Sequence, residues 1–267
     1  MTAGEAFKHS TPALYDRYMA PLFFEPCAVI VAELAAGLQP KTIVETAAGT
    51  GIVTRAIHRA IPGASIVATD LNPDMLEVAE RRLQSERVSF RAENAQNLSF
   101  DDDSFDLVVS QFGIMFFPDK VRANSEARRV LRPGGHYMLV IFDKLERNPV
   151  AKAVGDAVAA LFPDDPPTYM KDGPFCYTDA ELMERDLRDA GFTKVDIRTI
   201  AARSRAASAY EAALGICQGG PFRAEIEKRD PAGLDRATDA AAEALRQFEG
   251  ATGLDAPMQA HFAIAMK

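Results

Sequence analysis

A doubly wound α/β fold, built on a mostly parallel seven-stranded sheet with helical additions, is the architecture this sequence predicts. Short β-branched runs alternate with helical runs through the middle of the chain, the pattern of a parallel sheet covered on both faces. A loop of small residues, Ala47-Ala48-Gly49-Thr50-Gly51, separates the first such run from its helix. Asp70 closes the second run, nineteen residues beyond Gly51.

Thr42 to Thr46 reads as the first strand, and Ile52 to Ala60 as its helix, with Val53, Ala56, Ile57 and Ala60 on one face. Ser65 to Thr69 is the second strand. Asn72 and Pro73 then supply an N-cap and an N1 proline for a helix lined by Met75, Ala79 and Leu83. Val88 to Phe90 is a short third strand, and Phe105 to Ser110 a fourth with the apolar character of a strand buried on both faces. A helix from Lys120 to Leu131 stops at Arg132-Pro133-Gly134-Gly135, and His136 to Phe142 follows as the fifth strand. Thr178 to Glu181 has capping-box spacing and opens a helix that Gly191 closes. Lys194 to Ile200 and Gln259 to Met266 read as the last two strands.

At 267 residues the chain is expected to form one elaborated domain. Its α/β core would comprise 40–147, 176–200 and 258–267. Segments 1–39, 148–175 and 201–257 would be helical additions that form a lid and a substrate pocket over the strand ends, where open α/β sheets bind ligands. A net charge of −8 makes a nucleic-acid partner unexpected, because phosphate binding draws on clustered Lys and Arg. Three scattered cysteines without metal spacing suit reduced thiols and a cytoplasmic setting. No secretion signal, membrane span or internal repeat is read from the pattern.

The chemistry is concentrated after the first strand. Small residues at 47, 49 and 51 allow a tight turn and close approach to a ligand, and the loop feeds a helix N-terminus. A carboxylate at Asp70 can accept both hydroxyls of a ribose. A dinucleotide loop needs G-x-G-x-x-G, yet Ile52 occupies the third-glycine site. Glu45 would also repel a pyrophosphate while suiting a cationic amino-acid group. Both features favour S-adenosylmethionine over a nicotinamide dinucleotide.

On these stretches the chain resembles a class I S-adenosylmethionine-dependent methyltransferase of the Rossmann-like fold, close to the ubiquinone and menaquinone biosynthesis group. The matching residues are Val44 to Gly51, Ala68 to Leu76, Ala92 to Ala95, Asp101 to Asp106, Gln111 to Pro118 and Leu131 to Gly135. The resemblance implies that Glu45 and the backbone at Ala47, Gly49 and Gly51 line the methionine part and that Asp70 binds the ribose. Leu71 and Met75 would flank the adenine, Asn94 and Ala95 would read its edge, and Gln111 would sit beside the methionine part. Ala47 stands where the family often has Gly, and Asn94 where it often has Asp. The first change is tolerated if φ stays negative; the second keeps a carbonyl acceptor.

The expected activity is methyl transfer to an O, N or C nucleophile of a small-molecule acceptor. Two alternatives stand beside it: a protein that binds S-adenosylmethionine without transferring methyl, and a nicotinamide-dependent oxidoreductase. Tyr15, Tyr18, Phe116 and Asp143 are the substrate-pocket candidates, and His9, Tyr15 and Asp143 the groups to test as a base, none being assigned as catalytic. Asp101-Asp102-Asp103 reads as a solvated turn rather than a metal site, because consecutive side chains rarely converge.

Overall fold

The computed structural model describes residues 12–267; His9 lies outside them. A helical run opens the chain: α1 (Pro12–Leu14), a π-helix (Tyr15–Phe24) and α2 (Glu25–Leu38). The stretch Tyr15–Leu38 is long and apolar enough to cross a membrane by length and composition, and half of its most apolar window is buried inside the protein. The sheet then begins with β1 (Thr42–Thr46), α3 (Ile52–Ala60), β2 (Ser65–Asp70), α4 (Pro73–Arg82) and β3 (Val88–Ala92). It continues with β4 (Phe105–Gln111), α5 (Lys120–Val130) and β5 (Leu131–Phe142). Helices α6 (Pro149–Ala159), α7 (Tyr169–Asp172) and α8 (Ala180–Asp189) lead to β6 (Lys194–Ala206). The chain closes with α9 (Ala209–Gln218), α10 (Phe222–Arg229), α11 (Leu234–Leu245), β7 (Glu249–Gly250) and β8 (Gly253–Met266).

The strands lie in the order β3-β2-β1-β4-β5-β8-β6, with the two-residue β7 paired to β8. The first five are mutually parallel, whereas β8 runs antiparallel to both neighbours. Strand order reverses between β1 and β4, so right-handed crossovers send the helices of the two halves to opposite faces and leave a crevice at the strand ends. That crevice holds the candidate site. The expected mostly parallel seven-stranded sheet is therefore present, with β7 as a small extra hairpin.

Local chemistry explains the boundaries. Asn72 caps α4 by accepting from the Asp74 amide, with Pro73 at the first helical position. The N-cap of α8 is Asp179, not Thr178: its carboxylate accepts from Glu181 and Leu182 amides. Helix α5 ends at Val130, and Arg132 to Gly135 form an irregularity in β5, between the Phe105–Leu131 and Leu107–His136 pairs. The largest departure is at the end of the chain. β6 runs six residues beyond the expected Ile200, and β8 starts six before the expected Gln259. Polar, arginine-rich Arg203-Ser204-Arg205 lacks the apolar signal of a strand, yet it pairs in register with Asp255 to Pro257, and Arg203 bonds Asp255. Residues 201–206 and 253–257 thus belong to a β-ribbon and not to a helical addition.

At the starts of the central strands, opposite the crevice, Asp106 of β4 ties three elements. It accepts from the amides of Lys41 and Thr42 and from the Thr42 hydroxyl, and pairs with Arg132 at 2.8 Å. Burial opposes its ionisation, but Arg132 and the amides outweigh burial and hold its pKa to about 2. Because that value lies below the ordinary 3.8, the contribution is present above pH 4 and is lost as pH falls toward 2. Asp106→Ala is expected to cost about 1.5–3 kcal/mol in urea unfolding at pH 7, with the difference from wild type shrinking toward pH 2.

Candidate functional site

Each wall of the crevice has a local cause. β1 ends in Glu45, 2% exposed, whose Oε2 accepts from the Thr54 hydroxyl at 2.5 Å. The loop then adopts left-handed backbone at every second residue, with φ of 54° at Ala47, 56° at Gly49 and 75° at Gly51. Ala47 therefore does not keep the negative φ expected of an alanine there. Its Cβ instead fills the space beside Gly113, where an added Cβ would lie only 2.5 Å away. Asp70 is oriented from two sides: Oδ2 accepts from the Gly49 amide and Oδ1 from the Asn72 amide, both at 2.8 Å. At the end of β4, Gln111 donates through Nε2 to the carbonyl of Phe24 and so pins the last turn of the π-helix. Its Oε1 is buried with no partner among the described residues.

These groups line one cleft that is open to solvent. Of the residues expected to hold a cofactor, Glu45, Ala47, Gly49, Asp70, Leu71, Met75, Asn94, Ala95 and Gln111 all line it. Three details differ from expectation. Gly51 does not line the cleft; it is the N-cap of α3, and a Cβ there would meet Ala79 Cβ of α4 at 2.9 Å. The Gly49 amide is spent on Asp70. The Asn94 side-chain carbonyl accepts from the Gln96 amide in a local turn, leaving it one lone pair fewer for a ligand.

A second, smaller cavity adjoins the first. Tyr15, Phe24, Phe112 and Phe116 line both, so the two meet at a waist of four aromatic rings. Tyr15 stacks on Phe24 at 5.1 Å, and Phe112 lies parallel to Phe142 at 3.9 Å. Phe112 itself has φ of 55°, a strained value for a bulky residue and one that clusters at functional sites. Two pocket candidates lie elsewhere. Asp143 is turned into the sheet, where His261 Nε2 meets it at 3.2 Å and the Lys144 amide donates to it. Tyr18 faces a separate groove with Arg17, whose guanidinium sits 5.0 Å above its ring. The wider turn of the π-helix accounts for this split, because Tyr15, Met19, Phe23 and Phe24 follow the cavity while Tyr18 falls to the other side.

Electrostatically the cleft is short of positive charge. Burial pushes the Glu45 carboxyl up to about 8; Asp70 raises it further, while the Thr54 hydrogen bond and Arg55 partly offset the rise. Burial also raises Asp70, against hydrogen bonds from the Asn72, Gly49 and Leu71 amides. Two buried carboxylates with raised pKa values suit a ligand that brings its own cation.

Comparison with known proteins decides the family. Residues 44–139 match the model of a methyltransferase domain family. The demethylmenaquinone methyltransferase of Clavibacter sepedonicus is 34% identical over 170 residues, which cover 60% of this chain and 69% of that one. The ubiquinone/menaquinone biosynthesis C-methyltransferase of Hydrogenovibrio crunogenus is 30% identical over 175 residues, with the same coverage. The chain belongs to the S-adenosylmethionine-dependent methyltransferases. Its fold is shared with Haemonchus contortus phosphoethanolamine N-methyltransferase 2, solved in complex with S-adenosyl-L-methionine, at a TM-score of 0.60 and 17% identity over 96% of this chain and 56% of that one. The nicotinamide alternative falls with this assignment, and S-adenosylmethionine is the cofactor. For a methyltransferase, the residues that sequence reasoning missed are informative: Thr54, Phe24, Phe142 and Tyr169. Thr54 meets Glu45 through helix geometry, and Tyr169 reaches the second cavity from a Pro-rich segment with no periodic signal.

Proposed function

We propose that this methyltransferase holds S-adenosylmethionine in the larger cleft and transfers its methyl group, through the aromatic waist, to a small apolar acceptor in the second cavity. The observation that carries this reading is the waist itself: the four residues shared by the two cavities are all aromatic. Bound there, S-adenosylmethionine supplies an electrophilic methyl group on a sulfonium. Asp70, already aligned by two amides, suits the ribose hydroxyls. Glu45 and the unpartnered Oε1 of Gln111 suit the ammonium of the methionine part. Leu71 and Met75 would flank the adenine, with Asn94 and Ala95 at its edge. Rings at Tyr15 and Phe24 can face the sulfonium by cation–π attraction. Holding donor and acceptor in line can supply about 7–11 kcal/mol of the barrier.

The second cavity supports a lid-and-pocket role for the helical additions. Phe23 comes from the first, Tyr169 and Phe175 from the second, and Ile216 and Pro221 from the third. Helix α9 packs on the π-helix and on α11, and α11 packs on α6, so the additions brace one another. Three free thiols suit a reducing, cytoplasmic setting. Calorimetric titration tests the cofactor assignment. S-adenosylhomocysteine should bind the wild type, and Asp70→Ala should weaken it about 100-fold through two lost hydrogen bonds to a charged group. Equal binding to both would refute the ribose role.

A further inference from the structure

Gln111 stands behind the ring waist and reaches two of its four rings. Phe112 follows it in the chain, and its Nε2 donates to the carbonyl of Phe24 at 3.1 Å. A carbonyl only accepts, so that bond fixes which way the amide lies and leaves Oε1 for a donor. Oε1 is buried and has no hydrogen-bond partner among the described residues, although Gln111 lines the larger cleft. A buried acceptor left unpaired is costly, and a ligand that supplies a donor removes the cost.

The other end of the amide holds a junction. Phe24 is the last residue of the π-helix and the N-cap of α2, and the Glu25 amide beside it closes the π-helix onto the Ala20 carbonyl. The Phe24 ring stacks on Tyr15, tilts against Phe112 at 6.0 Å and meets Phe23 at 6.3 Å. Phe23 in turn stands edge-on to Phe142 at 6.0 Å, and with Met19 it lines the second cavity. Near its start the π-helix is anchored through Asp16, which pairs with Arg82 at 2.8 Å and Arg55 at 3.5 Å. Arg55 also donates to the Thr50 carbonyl in the small-residue loop at 2.7 Å. A wall of the second cavity is thus carried by a helix ion-paired at one end to α3 and α4 and hydrogen-bonded at the other to Gln111.

We propose that Gln111 is a positioning residue that couples the two cavities: a cofactor ammonium taken by Oε1 strengthens the bond from Nε2 to Phe24 and so fixes the ring waist and the π-helical wall of the acceptor site. This rests on the reading of the two cavities as donor and acceptor sites. The ammonium polarises the amide, and hydrogen bonds in a chain reinforce one another, most of all where water is excluded. The acceptor site is then best formed in the cofactor-loaded protein. By linkage, an acceptor tightens the hold on the cofactor by the same factor.

Hydrogen exchange read by mass spectrometry tests the coupling, with S-adenosylhomocysteine at saturation, in the wild type, Gln111→Met and Glu45→Gln. Methionine keeps the length of the side chain but carries no amide, whereas Glu45→Gln weakens the cofactor and leaves the relay intact. On binding, exchange over residues 19–28 should slow about ten-fold in the wild type and in Glu45→Gln, and less than about two-fold in Gln111→Met. The loop at residues 47–51 should be protected in all three. A slowing over 19–28 in Gln111→Met equal to that of the wild type would overturn the coupling. So would its loss in Glu45→Gln, or its absence from a wild type whose loop is protected. Should the sheet of ligand-free Gln111→Met exchange as an unfolded chain, Gln111→Asn, whose amide is one methylene short of the span, takes its place with the same expected result. Protection of neither region in the wild type would overturn the cofactor reading and this inference with it.

Discussion

Glu45→Gln is expected to raise the melting temperature of the ligand-free protein above pH 8 while weakening S-adenosylmethionine at least ten-fold. Burial lifts the folded-state pKa of Glu45 to about 8 from an ordinary 4.5. Between those values the folded chain holds a proton that the unfolded chain has released, so stability declines as pH rises from 4.5 to 8. The ionised carboxylate then costs the empty protein on the order of 3 kcal/mol. Glutamine keeps the shape and can still accept from Thr54, but carries no charge to desolvate. The same substitution removes the anion that suits the cationic end of the cofactor, a trade of stability for function. Binding of the cofactor near pH 7 should also expel the Glu45 proton. The calorimetric enthalpy of wild type should accordingly differ between phosphate and Tris buffers, and that of Glu45→Gln should not. Buffer-independent enthalpy in the wild type would refute the coupling.

The second large effect concerns the contact between the first loop and the end of β4. A Cβ at Gly113 would lie 2.5 Å from Ala47 Cβ, closer than real contacts allow, and the side chain it meets is a rigid methyl. Gly113→Ala should therefore destabilise the fold by about 1–3 kcal/mol, the usual range for overpacking, and should displace the loop that carries the cleft. Ala47→Gly removes that methyl and the left-handed strain at φ 54°, worth about 1–2 kcal/mol. The double variant should recover at least half of the stability lost in Gly113→Ala, giving a favourable coupling in a double-mutant cycle of urea unfolding. Additive effects would mean that the two positions do not share the contact.

What could be read from sequence, and what could not, follows from the range of the forces involved. The strands β1 to β5 and their helices are encoded locally, in β-branched runs and in caps such as Asn72-Pro73, and they match the observed elements closely. The arrangement of Asp70 at the end of β2 beside the small-residue loop is likewise a matter of spacing. The paired ribbon of β6 and β8 is not: Arg203-Ser204-Arg205 is a strand because Asp255 to Pro257 lie across from it, fifty residues on. The split between Tyr15 and Tyr18 depends on a π-helical turn, and sequence periodicity assumes an α-helical one. The waist and the second cavity draw on the additions as well as the core, so no local pattern marks Tyr169 or Phe142 as neighbours of Phe112.

The most direct test of the account is a crystal structure of the protein with S-adenosylhomocysteine. The account predicts the ribose hydroxyls on Asp70, the adenine between Leu71 and Met75, the ammonium near Glu45 and Gln111, and the sulfur facing the ring waist of Tyr15, Phe24, Phe112 and Phe116. A nucleoside bound elsewhere, or one whose sulfur points away from the waist, would contradict it.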